Sequence, residues 1–304
     1  MVVNNKIKEK VIPYIFLLPG FLLFLGVGLY SLFFSLGLSF FNWSGVDFST
    51  ARFVGLKNFK DFLFGGSPLF SEVFYTGIMN NFKIAFFDIL FIIPIALILA
   101  YLIQRSKGTG IFRTIYFIPM IAAGVAVYYT WQGLFAANGA LNMILDYIGL
   151  DFLIVQEGLL GNINTSLFGV IITTIWAGIP GTLILYYAGL ASINETLYEA
   201  ARIDGANSYH ILINIVWPLV KPITVIAMIR ILNASFQMFE NVFVLTGGGP
   251  ANSSQVAGTV VYSTAFSTLA GRSGFGLASA VGWFVFLITL SLAMVNIKSF
   301  KVDF

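Results

Sequence analysis

Six apolar runs, each long enough to cross a bilayer as a helix, constrain this chain more than any other feature. A hydrocarbon core about 30 Å thick takes about 20 mostly apolar residues per helix. The runs are Pro13–Phe40, Ile84–Ile103, Thr114–Phe135, Ser166–Ala191, Leu219–Leu245 and Gly276–Ile297. Their apolar character is continuous. A transmembrane β-barrel needs alternation within short segments, so the runs are predicted helices. Composition agrees: 58% of residues are hydrophobic, 10% are charged and the mean hydropathy is +0.91. Soluble domains carry roughly 25% charged residues. The chain has 304 residues and no Cys, which excludes a disulfide-stapled secreted scaffold. The expected fold class is an all-α polytopic membrane protein, one domain over residues 1–304, with no internal repeat.

Lys6, Lys8 and Lys10 precede the first run in the manner of a signal peptide. A cleavable signal has an apolar region of only about 7–15 residues, so this run is predicted to remain as the first span. Orientation follows from Lys and Arg in the loops. With a cytoplasmic N-terminus, the inner side holds Lys6, Lys8, Lys10, Arg105, Lys107, Arg113, Arg202, Lys221, Lys298 and Lys301. The outer side holds Arg52, Lys57, Lys60 and Arg272, and the loop Ala136–Thr165 has no basic residue. Both termini are therefore expected in the cytoplasm. The net charge of +3 reflects this inside bias and does not suggest nucleic acid.

Between the spans, Phe53, Leu56, Phe59 and Leu63 fall at near-helical spacing, which predicts a short helix lying on the membrane surface. Leu141, Ile144, Leu145 and Ile148 predict another. No enzyme site emerges. A P-loop needs GxxxxGK[ST], and the Gly-rich strings TGGGP and GRSGFG read as loop punctuation. With one His (His210) and no Cys, no metal-ligating cluster is expected.

Polar residues within spans mark pathways or buried pairs, because lipid cannot solvate them. Span five carries Arg230, Asn233, Ser235, Gln237, Glu240 and Asn241. At 100° per residue, Arg230, Asn233, Gln237, Glu240 and Asn241 share one stripe, which is expected to face the bundle, a partner or a water-filled path. Asn233, Ser235, Gln237, Met238 and Asn241 are candidate solute contacts. Packing between helices is the alternative for the same residues. Lys83 and Asp88 of span two, with Arg230 and Glu240, sum to zero charge, and Arg230 is expected to pair with Glu240 or Asp88. Thr174 and Gly178 precede Pro180 in span four, where a bend lets a solute approach the backbone.

The loop between spans four and five reads EAARIDGANSYHILINIVWP over Glu199–Pro218. Ala200, Ala201, Gly205 and Ala206 are small enough to let another backbone come close. Glu199, Arg202 and Asp204 keep the segment in water, and Glu195 and Glu199 suit a helix N-terminus. The stretch resembles the EAA loop of ABC importer permeases: EAA, three residues, Gly, nine residues, Ile, one residue, Leu-Pro. Glu199-Ala200-Ala201, Gly205, Ile215 and Pro218 fall in register, with Trp217 at the Leu position. FVGLKNF at Phe53–Phe59, FRTIYFIP at Phe112–Pro119, LYEAARIDGA at Leu197–Ala206 and LTGGGP at Leu245–Pro250 are similar to the carbohydrate-importer branch. Within it, the chain resembles the maltose-type F subunit.

The resemblance implies a six-span permease that binds no cofactor, with ATP and Mg on two separate cytosolic ATPase subunits. Glu199, Ala200, Ala201, Asp204, Gly205 and Ala206 would form the coupling helix docked on one of them, within a loop at about 195–218. It also implies a second, homologous permease, an extracytoplasmic solute-binding protein, and a sugar or oligosaccharide substrate. A permease for another solute class, an intramembrane enzyme and a channel are the competing readings.

Overall fold

The computed structural model describes residues 2–106, 120, 124–269 and 274–299. FRTIYFIP, the start of the third predicted span, Lys107, Arg113, Arg272 and Lys301 lie outside the described residues. The chain divides into two units.

The first unit holds residues 1–71 and 261–283. α1 (Val2–Leu23) passes through a π-helical turn, Phe24–Leu29, into α2 (Tyr30–Leu38). None of its most apolar stretch is buried. β1 (Phe41–Asn42) then pairs antiparallel with β2 (Arg52–Phe53), Phe41 opposite Phe53. Asn58, buried on α3 (Lys57–Leu63), donates its amide to the carbonyls of Ser39 at 2.9 Å and Phe41 at 2.8 Å. These bonds satisfy backbone groups left open where the helix gives way to the strand. The expected short helix therefore exists but starts later. Phe53 belongs to the strand pair and is exposed, and Phe62, fully buried, is the anchor.

The second unit holds residues 72–260 and 284–304. α4 (Pro68–Arg105) is 38 residues long and begins sixteen residues before the predicted second span. The polar residues at its start lowered the hydropathy without ending the helix. α5 (Gly124–Leu134) is the described part of the third span, and α6 (Ala140–Tyr147) is the second expected loop helix. α7 (Ser166–Ala191) matches the fourth predicted span, and α8 (Glu195–Ile203) and α9 (Ser208–Ile211) form the following loop. A π-helical turn, Leu212–Val216, leads into α10 (Trp217–Phe236). Here the fifth predicted span is interrupted, and α11 (Glu240–Leu245) follows the break. α12 (Ala257–Phe266) and α13 (Phe275–Ser299) complete the helices.

Five described helical stretches are long and apolar enough to cross a membrane: Ile12–Leu38, Pro68–Arg105, Ser166–Ala191, Ser208–Phe236 and Phe275–Val295. α4, α7 and α10 share a core built on Ile92, Ala96, Leu183, Tyr186, Val220 and Ile231. Small residues allow the close approach, since a Cβ on Gly178 would overlap the Ile92 side chain. The fully buried Tyr186 donates its hydroxyl to Thr224 Oγ1 at 2.8 Å, which ties α7 to α10.

Candidate functional site

The break after α10 releases backbone groups that an unbroken helix would pair. Gln237 leaves helical geometry at φ −89°, ψ 1°, and Phe239 stands at φ −144°, ψ −62°. The carbonyl of Ser235 lies at this break. Asn81 of α4, fully buried, donates its side-chain amide to that carbonyl. Its Oδ1 accepts the N–H of Ala257, at the start of α12, at 2.8 Å. Asn80 donates to the carbonyls of Ser253 at 2.8 Å and Gln255 at 2.9 Å. Two adjacent amides thus satisfy irregular backbone that would otherwise be untenable at membrane depth.

Beside this break lies an open cleft of about 600 Å³. α7 lines it with Thr174, Gly178 and Thr182, and the broken fifth span lines it with Arg230, Ser235, Gln237, Met238, Glu240 and Asn241. Asp88 and Ile92 come from α4, and Tyr128 from α5. Six of the seven residues expected to meet solute are therefore together: Thr174, Gly178, Ser235, Gln237, Met238 and Asn241. Asn233 is not among them. It lines a small crevice with Ile229, Leu232, Phe236, Thr289 and Leu292.

The expected charge network takes a different form. Lys83 is exposed and lies outside the cleft. Asp88, Arg230 and Glu240 all line the cleft, but no ion pair joins them among the described residues. The Thr174 hydroxyl donates to Asp88 Oδ1 at 2.8 Å. Arg230 Nη1 donates to the carbonyl of Gly181 at 3.3 Å. A side chain at Gly181 would crowd the guanidinium, with a Cβ only 3.0 Å from Nη2.

Sequence reasoning missed Thr182, Tyr128, Phe239 and Asn81. Thr182 had a signal, being four residues from Gly178 and eight from Thr174 on one helical face. Tyr128 is brought in by tertiary packing and had none.

The loop that follows α7 is built for water. Asn194 caps α8 by accepting the N–H of Thr196 at 3.1 Å. At the other end, Gly205 takes φ +80°, a conformation that glycine adopts without Cβ strain. The N–H of Gly205 donates to Arg202 O at 3.1 Å, and that of Ala206 to Ala201 O at 2.9 Å. This closes the helix in the manner of a Schellman turn. Asn207 then caps α9, accepting the N–H of His210 at 2.9 Å.

Tyr198 and Ala201 face inward, while Glu199, Ala200, Arg202, Asp204 and Gly205 are exposed and Ala206 is half-buried. Ile203 is 87% exposed, an apolar side chain left without cover in this chain. Arg105 of α4 lies over the rings of Tyr101 and Tyr198, at 4.4 and 5.0 Å. Burial pushes the Tyr198 phenol above its ordinary pKa, and the guanidinium opposes that shift.

Comparison with known proteins bears on both regions. The family described as "Binding-protein-dependent transport system inner membrane component" matches residues 69–299. Bacillus subtilis YurN, a probable ABC transporter permease protein, is 33% identical over 302 residues and 97% of each chain. AmyD of Thermoanaerobacterium thermosulfurigenes is 30% identical, covering 95% of this chain and 94% of its own. It is described as a probable starch degradation products transport system permease protein. Among solved structures, one chain of a bacterial ABC transporter involved in import of the acidic polysaccharide alginate superposes with a TM-score of 0.77. It is 24% identical, and 98% of each chain is covered.

Proposed function

Because the chain belongs to the family of binding-protein-dependent transport system inner membrane components, we propose that it lines the translocation path of an ATP-driven saccharide importer. The observation that carries this reading is the cleft. Hydroxyl and amide groups of Thr174, Thr182, Gln237 and Asn241 converge there, between helices apolar enough to cross a membrane. Such groups match sugar hydroxyls, and the faces of Tyr128 and Phe239 match the C–H faces of a pyranose ring. The sugar assignment is supported by AmyD, whose description names starch degradation products.

The remaining parts follow from that role. A second, homologous permease closes the other side of the path, and an extracytoplasmic solute-binding protein delivers the saccharide. Two cytosolic ATPases bind ATP and Mg. One of them grips the exposed face of α8, where Glu199, Ala200, Asp204 and Gly205 leave a shallow surface and Ile203 offers an apolar contact. Closure of the ATPase pair then moves the loop and, with it, the spans. Both termini lie in the cytoplasm of a bacterial or archaeal cell, as the basic loops require.

The test is co-expression with the adjacent transport genes, followed by ATPase assay of the purified complex in lipid. The cognate binding protein and a panel of saccharides are added one at a time. Hydrolysis is expected to rise several-fold with one saccharide. Failure to purify any ATPase with this chain would overturn the proposal.

A further inference from the structure

The charges in the cleft are unevenly placed. Asp88 is 5% exposed and accepts one hydrogen bond, from Thr174. No cation pairs with it: among the described residues the single ion pair is Arg202–Glu195, at 4.0 Å in the loop after α7. Glu240, exposed on the cleft wall, is a second carboxylate. Among the described residues Arg230 is the one basic side chain lining the cleft, and it donates to the carbonyl of Gly181. Gly181 lies seven residues beyond Thr174 on α7, about 10 Å of helical rise. Arg230 is thus anchored well away from the Thr174–Asp88 bond and leaves that carboxylate without a countercharge. Among the described residues two carboxyl groups and one guanidinium line the cleft, and the buried Asp88 has no countercharge, in surroundings that screen charge poorly. A charge inside a span is costly and by default marks function. A cation on the solute relieves that cost, whereas a carboxylate on the solute adds to it.

We infer that the cleft selects a saccharide bearing a protonated amine, received by Asp88 with Glu240 as a second carboxyl group in the same cleft, and discriminates against uronic-acid saccharides. The inference rests on the cleft being the translocation path.

The chain has no Cys, so Ala234→Cys on the exposed cleft wall gives it a single thiol. In the complete complex in lipid, maleimide labelling of this chain is followed with three probes: the β-1,4 disaccharides of glucosamine, glucose and glucuronate. Half-protection is expected at about tenfold lower concentration for the glucosamine dimer than for the glucose dimer, with the glucuronate dimer weakest. Asp88→Asn, which keeps shape and the Thr174 contact, is expected to bring the first two within about twofold. Where that variant fails to assemble, Glu240→Gln, at an exposed position, is expected to narrow the gap. Protection by glucuronate equal to that by glucosamine overturns the inference, as does a gap that survives both substitutions. If none of the three protects while a saccharide still stimulates ATP hydrolysis, the cleft is not the path, and the inference falls with that reading.

Discussion

Two helices in this chain stop, and they stop by different means. α8 ends within four residues of its last turn, on the positive φ of Gly205, with bonds from Gly205 and Ala206 back to Arg202 and Ala201. Every partner is local, and water can serve the groups left over. α10 ends with no glycine at the break. The carbonyl of Ser235 beside the break accepts from Asn81, 154 residues away in sequence, whose other atom holds the N–H of Ala257, 176 residues away. In water, a helix end is solved by its own neighbours. In an apolar layer it needs a donor carried in on another span, because an unpaired backbone group has no solvent to fall back on.

The contrast is broken most severely by Asn81→Leu. That change strips partners from a buried carbonyl and a buried N–H, at about 1–3 kcal/mol each. The expected outcome is loss of assembled complex, read as yield on size exclusion and as thermal inactivation. A complex of normal yield and melting temperature would show that Asn81 does not hold the break.

Gly205→Leu attacks the local solution. It forces a side chain into the left-handed region at about 1–2 kcal/mol and puts bulk on the exposed face of α8. ATP-driven uptake in proteoliposomes is expected to collapse while the chain remains in the membrane. Retained uptake would remove the coupling role from this loop.

Two tyrosines sharpen the comparison with smaller effects. Tyr186→Phe deletes a buried hydroxyl bonded to Thr224, and a loss of about 1 kcal/mol is expected in the melting of the complex. Tyr198→Phe removes a buried hydroxyl that has no hydrogen-bond partner among the described residues. Since burial keeps that phenol protonated at neutral pH, no charge is lost, and stability is expected to hold or rise slightly. A larger loss at Tyr198 than at Tyr186 would reverse the assignment of which hydroxyl is satisfied.

These differences also explain what could be read in advance. The small and charged residues from Glu199 to Ala206 form a local pattern, so the loop after α7 was legible in part from its residues and its match to a known loop pattern, although its caps at Asn194 and Asn207 went unread. The cleft was legible in part. Ser235, Gln237, Met238 and Asn241 drew notice because polar or polarizable side chains stand out in an apolar run, and the structure gathers them. Asn233 was drawn in with them by projecting one unbroken helix through the whole span. The break at residues 237–239 invalidates that projection, and Asn233 faces Thr289 instead. Asn80 and Asn81 were overlooked because they sit where the apolar run begins, and hydropathy alone places a helix start there. Their meaning depends on carbonyls more than 150 residues away, which no local pattern encodes.

α4 carries a mechanical consequence. Asn81 holds the broken span from within the first half of this helix, and Arg105 lies over Tyr198 at its C-terminal end. Twenty-four residues separate them, about 36 Å of rise. Pro94 stands between them and removes one rung of the hydrogen-bond ladder, leaving a natural pivot. Eleven residues beyond that pivot, about 17 Å, a bend of only about 10° carries the guanidinium by about 3 Å, close to the width of a ring face. The same helix is thus a lever with unequal arms. One arm is clamped at Asn81 to the broken span that lines the cleft and the other rests on the loop, so neither can shift far without the other registering it.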